Sequence, residues 1–193
     1  MNPKLYILVV VMIGTTLIAS CHSNDQKHIA EESKQVAEEN NEDKFNSNSA
    51  EKDAQMVVNL AAWEYEQIEL AKTAKRKTAN RTIKNIATTL LADHMMMMKQ
   101  LREYAVNHTI SIPDSITAAD RQHARKMAEN NTPTEFDKQW VKDLLDKHEK
   151  LIAAMEDGAT TAGDPDLRAW INDALPKIRV HRDKLMQIKY TLR

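Results

Sequence analysis

Apolar residues recur every three to four positions along most of this chain, in long runs separated by polar or proline-bearing breaks. That period predicts amphipathic helices, each turning one stripe inward. The first helix is expected from about Glu51 to Thr78, with Val57, Leu60, Ala61, Glu64, Ile68 and Ala71 on its stripe. Asn80 is a suitable N-cap for the second, which carries Ile83, Ala87, Leu90, His94, Met98, Leu101 and Ala105 inward and stops at Asn107-His108. Ile112-Pro113 breaks the chain before a short helix, Thr117 to about Asn130, with Thr117 and Asp120 spaced as a capping pair. Thr132-Pro133-Thr134-Glu135 combines a cap hydroxyl, a proline at the first helical position and a glutamate three residues on. It opens a helix with Val141, Leu144, His148, Ile152 and Met155 inward, expected to end at Gly158. Asp164-Pro165 opens the last, with Leu167, Trp170, Ala174, Ile178, His181, Leu185 and Ile188 on its stripe. Pro176 inside it is expected to kink the helix and free the Asn172 carbonyl.

Four helices of about 25 residues would stand roughly 40 Å tall at 1.5 Å per residue. The first and last links are short, which makes the helices they join antiparallel neighbours. The middle connection, about 25 residues with a helix inside it, is long enough to travel the height of a bundle. The predicted fold is therefore all-α: a ferritin-like four-helix bundle with a short extra helix in the long crossover. A plain up-and-down bundle capped by the short helix is the alternative. Composition agrees, with only 3 glycines in 193 residues and Ala, Leu, Lys, Glu and Met abundant.

The amino terminus has a different grammar. Lys4 precedes an apolar run from Leu5 to Ile13, and after Gly14-Thr15-Thr16 comes Leu17-Ile18-Ala19-Ser20-Cys21. A basic start, a short apolar stretch and small residues before a cleavage point describe a signal peptide, residues 1–20. At about 15 residues the run is short of the ~20 needed to span a bilayer. Cys21 is the one cysteine of the chain and stands where processing would make it the new amino terminus. This resembles the lipobox of bacterial lipoproteins, which implies acylation of Cys21 and a partner in membrane lipid; an ordinary secretory signal is the alternative. Two or more acyl chains anchor far more firmly than one, each buried methylene contributing about 0.8 kcal/mol. Residues 22–50 are almost wholly polar and read, with Cys21, as a disordered tether, in which Ala30 to Glu39 could form a transient helix with no apolar face to dock, leaving 51–193 as the bundle domain. As a coil of about 29 residues the tether would reach roughly 30 Å. The expected address is the bacterial envelope, at the outer membrane facing the periplasm.

A formal net charge of −1 provides no basic surface for nucleic acid. Gly-rich phosphate loops, Cys-x-x-Cys pairs and nucleophiles with an activating base are absent from the sequence, so catalysis is not the first expectation. The candidate chemistry lies in register. At 100° per residue, Leu90, Met98 and Leu101 fall within about 40° of His94, and the same holds for the apolar neighbours of His148 and His181. Each histidine is near the midpoint of its helix, and Glu64 is the matching polar residue on the first. Packing would bring the four to one level, as a buried polar network or a metal cage.

At these positions the chain resembles the bacterial family known as domain of unknown function 4142, often described as predicted outer-membrane proteins and grouped with ferritin-like folds. The likeness covers about Gln55 to Leu185 and is carried by Ile68-Glu69-Leu70 leading to Ala74, by Ile83-Lys84 and Ala87 leading to Asp93-His94, by Phe136-Asp137 with Trp140, by His148, and by Leu175-Pro176 with His181. It departs from the family pattern at Gln67, where a glutamate is usual; Glu64 or Glu66 stands nearby. The ferritin-like grouping raises a di-iron site, but that needs Glu-x-x-His pairs, and the residues three before the histidines are Leu91, Leu145 and Ile178. A mononuclear site of His94, His148, His181 and Glu64 remains, for zinc, copper or iron, with Asp93 and Asp146 as orienting groups only if they reach inward. Met95-Met96-Met97-Met98 offers soft sulfur, and Met97 and Met98 share the His94 face, but methionine as core filler explains them first. The expectation is a non-catalytic binding, structural or stress-related module built round a satisfied histidine layer. The competing class is a mononuclear metal-binding or redox protein, and a partner-docking face on the short helix is a third.

Overall fold

The computed structural model describes residues 33–129 and 131–192, and every regular element within them is helical. A helix over residues 33–42 (α1) precedes α2 (Asn48–Lys77), α3 (Arg81–Asn107), α4 (Ala118–Glu129), α5 (Pro133–Thr161) and α6 (Pro165–Thr191). The starts are chemically explicit. Asn80 accepts from the amides of Thr82 and Ile83, Asp164 from those of Asp166 and Leu167, and Thr132 and Glu135 form a reciprocal capping box. Each cap answers amides the helix leaves unpaired, a contribution of about 1 kcal/mol apiece.

Cross-links along the helices define their directions. Near the start of α2, Asp53 accepts from the backbone of Gly163 and Asp164 in the α5–α6 turn, at 2.9 and 2.8 Å. Near its end, the Leu70 carbonyl accepts the Trp140 indole N–H at 2.9 Å, early in α5. So α2 and α5 run antiparallel. α3 and α6 do too, since Asp93 meets His181 and His108 meets Asp164. α3 thus ends beside the α5–α6 turn, whereas α5 begins beside the end of α2, where Thr78 hydrogen-bonds Asp137. The connection between them crosses the height of the bundle, carrying α4 over α2 and α5. This is the ferritin-like crossover, and it excludes the plain up-and-down alternative.

Four expectations need correction. The tether is ordered in part: α1 lies along α2 with Ala37 and Asn41 buried. Asn41 donates to the Ser111 carbonyl and accepts from its amide, Ser33 Oγ donates to Asp114, and Gln55 donates to Glu38. The segment has no apolar stripe and docks instead through one small residue and side-chain amides. Second, α2 begins at Asn48, capped by Ser47, slightly before Glu51. Third, α5 continues past Gly158 to Thr161. Gly158 is buried within the helix, where an added Cβ would lie 2.7 Å from Met56 Sδ; this glycine permits close packing rather than a helix stop. Last, α6, which holds Pro176 inside it as expected, buries Ile171 where Trp170 was expected, leaving Trp170 only half-buried. Residues 1–32, on which the expected signal peptide and the lipidation of Cys21 fall, lie outside the described residues. Among the described residues, no helix is long and apolar enough to cross a membrane.

The apolar core falls into two blocks. One includes Val57, Leu60, Leu101, Leu151 and Ile178, the other Leu70, Leu90, Phe136, Trp140 and Leu144. On α3, α5 and α6 the boundary between the blocks is marked by a buried histidine, His94, His148 and His181, whereas on α2 the buried Glu64 lies within the first block, between Ala61 and Ile68.

Candidate metal centre

α3, α5 and α6 each contribute one imidazole to this boundary, because His94, His148 and His181 occupy the apolar stripe of a helix whose neighbours on both sides are aliphatic. Their rings are 0, 0 and 1 % exposed. Ring centroids lie 5.6 Å apart for His94 and His148, 5.3 Å for His94 and His181, and 5.7 Å for His148 and His181.

Each ring has one nitrogen engaged. His94 Nδ1 is 2.8 Å from Glu64 Oε2, His148 Nδ1 is 2.8 Å from the Leu144 carbonyl one turn back, and His181 Nε2 is 2.9 Å from Asp93 Oδ2. The other nitrogens, His94 Nε2, His148 Nε2 and His181 Nδ1, are buried without a hydrogen-bond partner among the described residues. The three histidines offer ligand atoms that lie within 4.8 Å of one another. One nitrogen of each ring is therefore left without a protein partner in an apolar interior, so hydrogen bonds between the described residues do not by themselves satisfy the layer.

Burial decides the protonation of the rings. It holds His94 down to about 3, against the pull of Asp93. His148 is likewise lowered to about 3 by burial and then by the other two rings, and His181 to about 4, with Asp93 opposing. The imidazoles are therefore neutral at physiological pH, the form that coordinates metals. Burial pushes the Glu64 carboxyl well above the usual carboxylate range.

The remaining candidates separate cleanly. Glu64 stands behind His94 rather than beside the converging nitrogens, so it positions a ring. Asp93 reaches inward to His181, not to its sequence neighbour His94. Asp146 is exposed and takes no part. Met97 and Met98 are buried in the core block next to the layer, while Met95 and Met96 are about half exposed. Gln67 is buried one turn along α2 with its Oε1 unpartnered. Sequence reasoning missed the Leu144 carbonyl, which carries no side-chain signal; its clue was the helical spacing itself, four residues before His148. A second grouping, His108 with Asp164 and Asp166, is partly exposed, and Asp164 is already committed to capping α6.

Residues 24–188 match the family described as domain of unknown function DUF4142. The chain belongs to that family. The match extends beyond Gln55 to Leu185 and takes in α1. No protein with a curated description matches this DUF4142 chain. A solved structure similar to it, CopM in the Cu(II)-bound form, has a TM-score of 0.62 and 12 % identity over 73 % of this chain and 97 % of that one. That likeness shows the helical fold.

Proposed function

We propose that this DUF4142 protein is a non-catalytic metal-binding module that holds one transition-metal ion between His94 Nε2, His148 Nε2 and His181 Nδ1. One observation carries the reading: three buried nitrogens converge without partners while the opposite nitrogen of every ring is held. A group that holds each outer nitrogen fixes the tautomer and aims the inner lone pair, the usual outer support of a histidine ligand. For His94 this requires the tautomer in which Nδ1–H donates to Glu64. Three imidazoles suit zinc or copper, and the Cu(II) held by the structurally similar CopM favours including copper among the ions tested. A bound ion would cross-link α3, α5 and α6 and satisfy the orphaned acceptors.

The test is elemental analysis of untagged protein together with titration of apo protein by Zn(II) and Cu(II). One equivalent per chain in the native protein, and none in His148→Ala, is expected. Native protein that binds neither ion would overturn the proposal.

On the same reading the module is tethered to the bacterial envelope through acylated Cys21, supported by the lipobox-like run before it. Incorporation of labelled fatty acid, lost in Cys21→Ser, is the expected result. A native chain that remains unlabelled would refute the anchor.

A further inference from the structure

A formal net charge of −1 conceals an uneven distribution. From Leu70 to Ala92 the chain carries Lys72, Lys75, Arg76, Lys77, Arg81 and Lys84 and no aspartate or glutamate. These positions are the last turns of α2 and the first of α3, so one end of the bundle collects them. The start of α5 and the end of α6 reach the same end, where Lys138, Lys142 and Lys189 line an open cavity of about 280 Å³ with Val141 and Leu192. The acids nearby are engaged: Glu69 pairs with Arg76, Glu129 with Arg125, Glu135 closes the Thr132 capping box, and Asp137 is buried against Thr78. Lys72, Arg81, Lys84, Lys138 and Lys142 are exposed and form no ion pair among the described residues. At the opposite end Glu42, Asp43, Glu51, Glu156, Asp157 and Asp166 are exposed and outnumber Lys44, Lys52 and Arg102.

α1 fixes how the upstream chain approaches. Lys34 shares a cavity with Trp63 and Glu66, midway along α2, while Glu42 shares another with Asn48 and Lys52 at its start. α1 therefore runs antiparallel to α2, and its first residues point towards the basic end. Glu66 to Lys77 spans about 17 Å at 1.5 Å per residue. The chain from Cys21 to Ser33 can extend to about 40 Å, so an anchor on Cys21 reaches past that end.

We infer that this basic end is a docking surface for the anionic headgroups of a phospholipid bilayer, setting the bundle upright with the α2–α3 turn against the membrane. The inference rests on the acylated Cys21 reading, which brings the end within range, and is independent of the metal site. The length of the anchor lets either end approach the lipid, and charge selects between them. An anionic surface attracts lysine and arginine within about 8–10 Å at physiological salt and repels the acidic end. A bilayer is favoured over a nucleic acid because the anchor holds this end beside lipid.

The test places the native chain on vesicles of phosphatidylcholine, or of an equal mixture with phosphatidylglycerol, and follows lysine modification by a neutral amine reagent, peptide by peptide. Lys84 and Lys138 are expected to react at least about threefold more slowly on the mixed vesicles, Lys52 and Lys99 to be unaffected, and the difference to vanish in high salt. Lys72→Glu, Arg81→Glu and Lys84→Glu together, at exposed positions, should return Lys138 to its phosphatidylcholine rate; circular dichroism establishes that the variant is folded, and the native pattern stands without it. Equal rates on the two vesicles, or equal protection of Lys52 and Lys99, overturn the inference, while retention on phosphatidylcholine alone still supports the anchor. A chain held only by the mixed vesicles, and released by salt, overturns the anchor and supports the surface. Equal protection of Lys84 and Lys138 by an RNA duplex without lipid overturns the assignment to a bilayer, and binding to neither vesicle overturns both anchor and surface.

Discussion

His181 Nε2 and Asp93 Oδ2 lie 2.9 Å apart across the α3–α6 interface, joining a buried ring to a carboxylate that reaches solvent. Removing the carboxylate frees the ring to rotate its Nδ1 out of line. Asp93→Ala is therefore expected to weaken metal binding 10- to 100-fold, the usual effect of losing an outer partner. Competition titration measures it; unchanged affinity would show that packing alone orients His181.

Adding metal to the apo protein should raise its melting temperature. At 100 times the dissociation constant the linkage contributes about 2.7 kcal/mol, worth roughly 5–10 °C in a domain of this size. His148→Ala should melt at the same temperature with and without Zn(II). A metal-dependent shift retained in that variant would place the ion elsewhere.

Acid should destabilise the apo bundle. The rings titrate near 3 to 4 when folded and near 6.5 when unfolded, so the unfolded chain takes up more protons as pH falls. Their stabilisation is complete above the unfolded value and is lost progressively as pH falls towards the folded ones. Glu64, raised by burial, works the other way, one carboxyl against three rings. Net proton uptake on unfolding therefore predicts that stability falls as pH drops from 6 to 5. Urea denaturation at three pH values reads the slope, which should be shallower in His148→Phe.

Asn41 exchanges two hydrogen bonds with the backbone of Ser111, at 2.8 and 2.7 Å. Asn41→Ala leaves both Ser111 groups unmatched, costing about 1–3 kcal/mol locally. Limited proteolysis should then cut before residue 47 well before the long helices. Identical digestion of native and variant chains would mean that α1 is held mainly by its other contacts.

Gly158 packs against Met56 Sδ where a Cβ would come within 2.7 Å. Gly158→Val is expected to cost about 1–3 kcal/mol by overpacking, and Met56→Ala to recover part of it. Thermal melts of the single and double variants would show the coupling; simple additivity would argue against the contact.

Most of the helical framework was legible because it depends on local rules. Asn80, Thr132 and Asp164 cap helices through their own side chains, and the stripes of α2, α3 and α5 bury as their period demands. The docking of α1 was not legible, since Ala37 and Asn41 have meaning only opposite Ser111, about 70 residues away. Gly158 misled for a related reason: a glycine that ends a helix and one that admits Met56 look alike along the chain.

At the centre, helical register alone determined that His94, His148 and His181 would turn inward near mid-helix, because an α-helix converts spacing directly into direction. Tertiary structure alone decided which nitrogen of each ring would be engaged. That choice depends on Glu64, Asp93 and the Leu144 carbonyl standing within 3 Å of the rings, and ring orientation is set by partners across helix interfaces or along the backbone rather than by periodicity. The long crossover was visible as length, but its path across the bundle was settled by contacts at opposite ends, Asp53 with Gly163 and Leu70 with Trp140, which no local rule encodes.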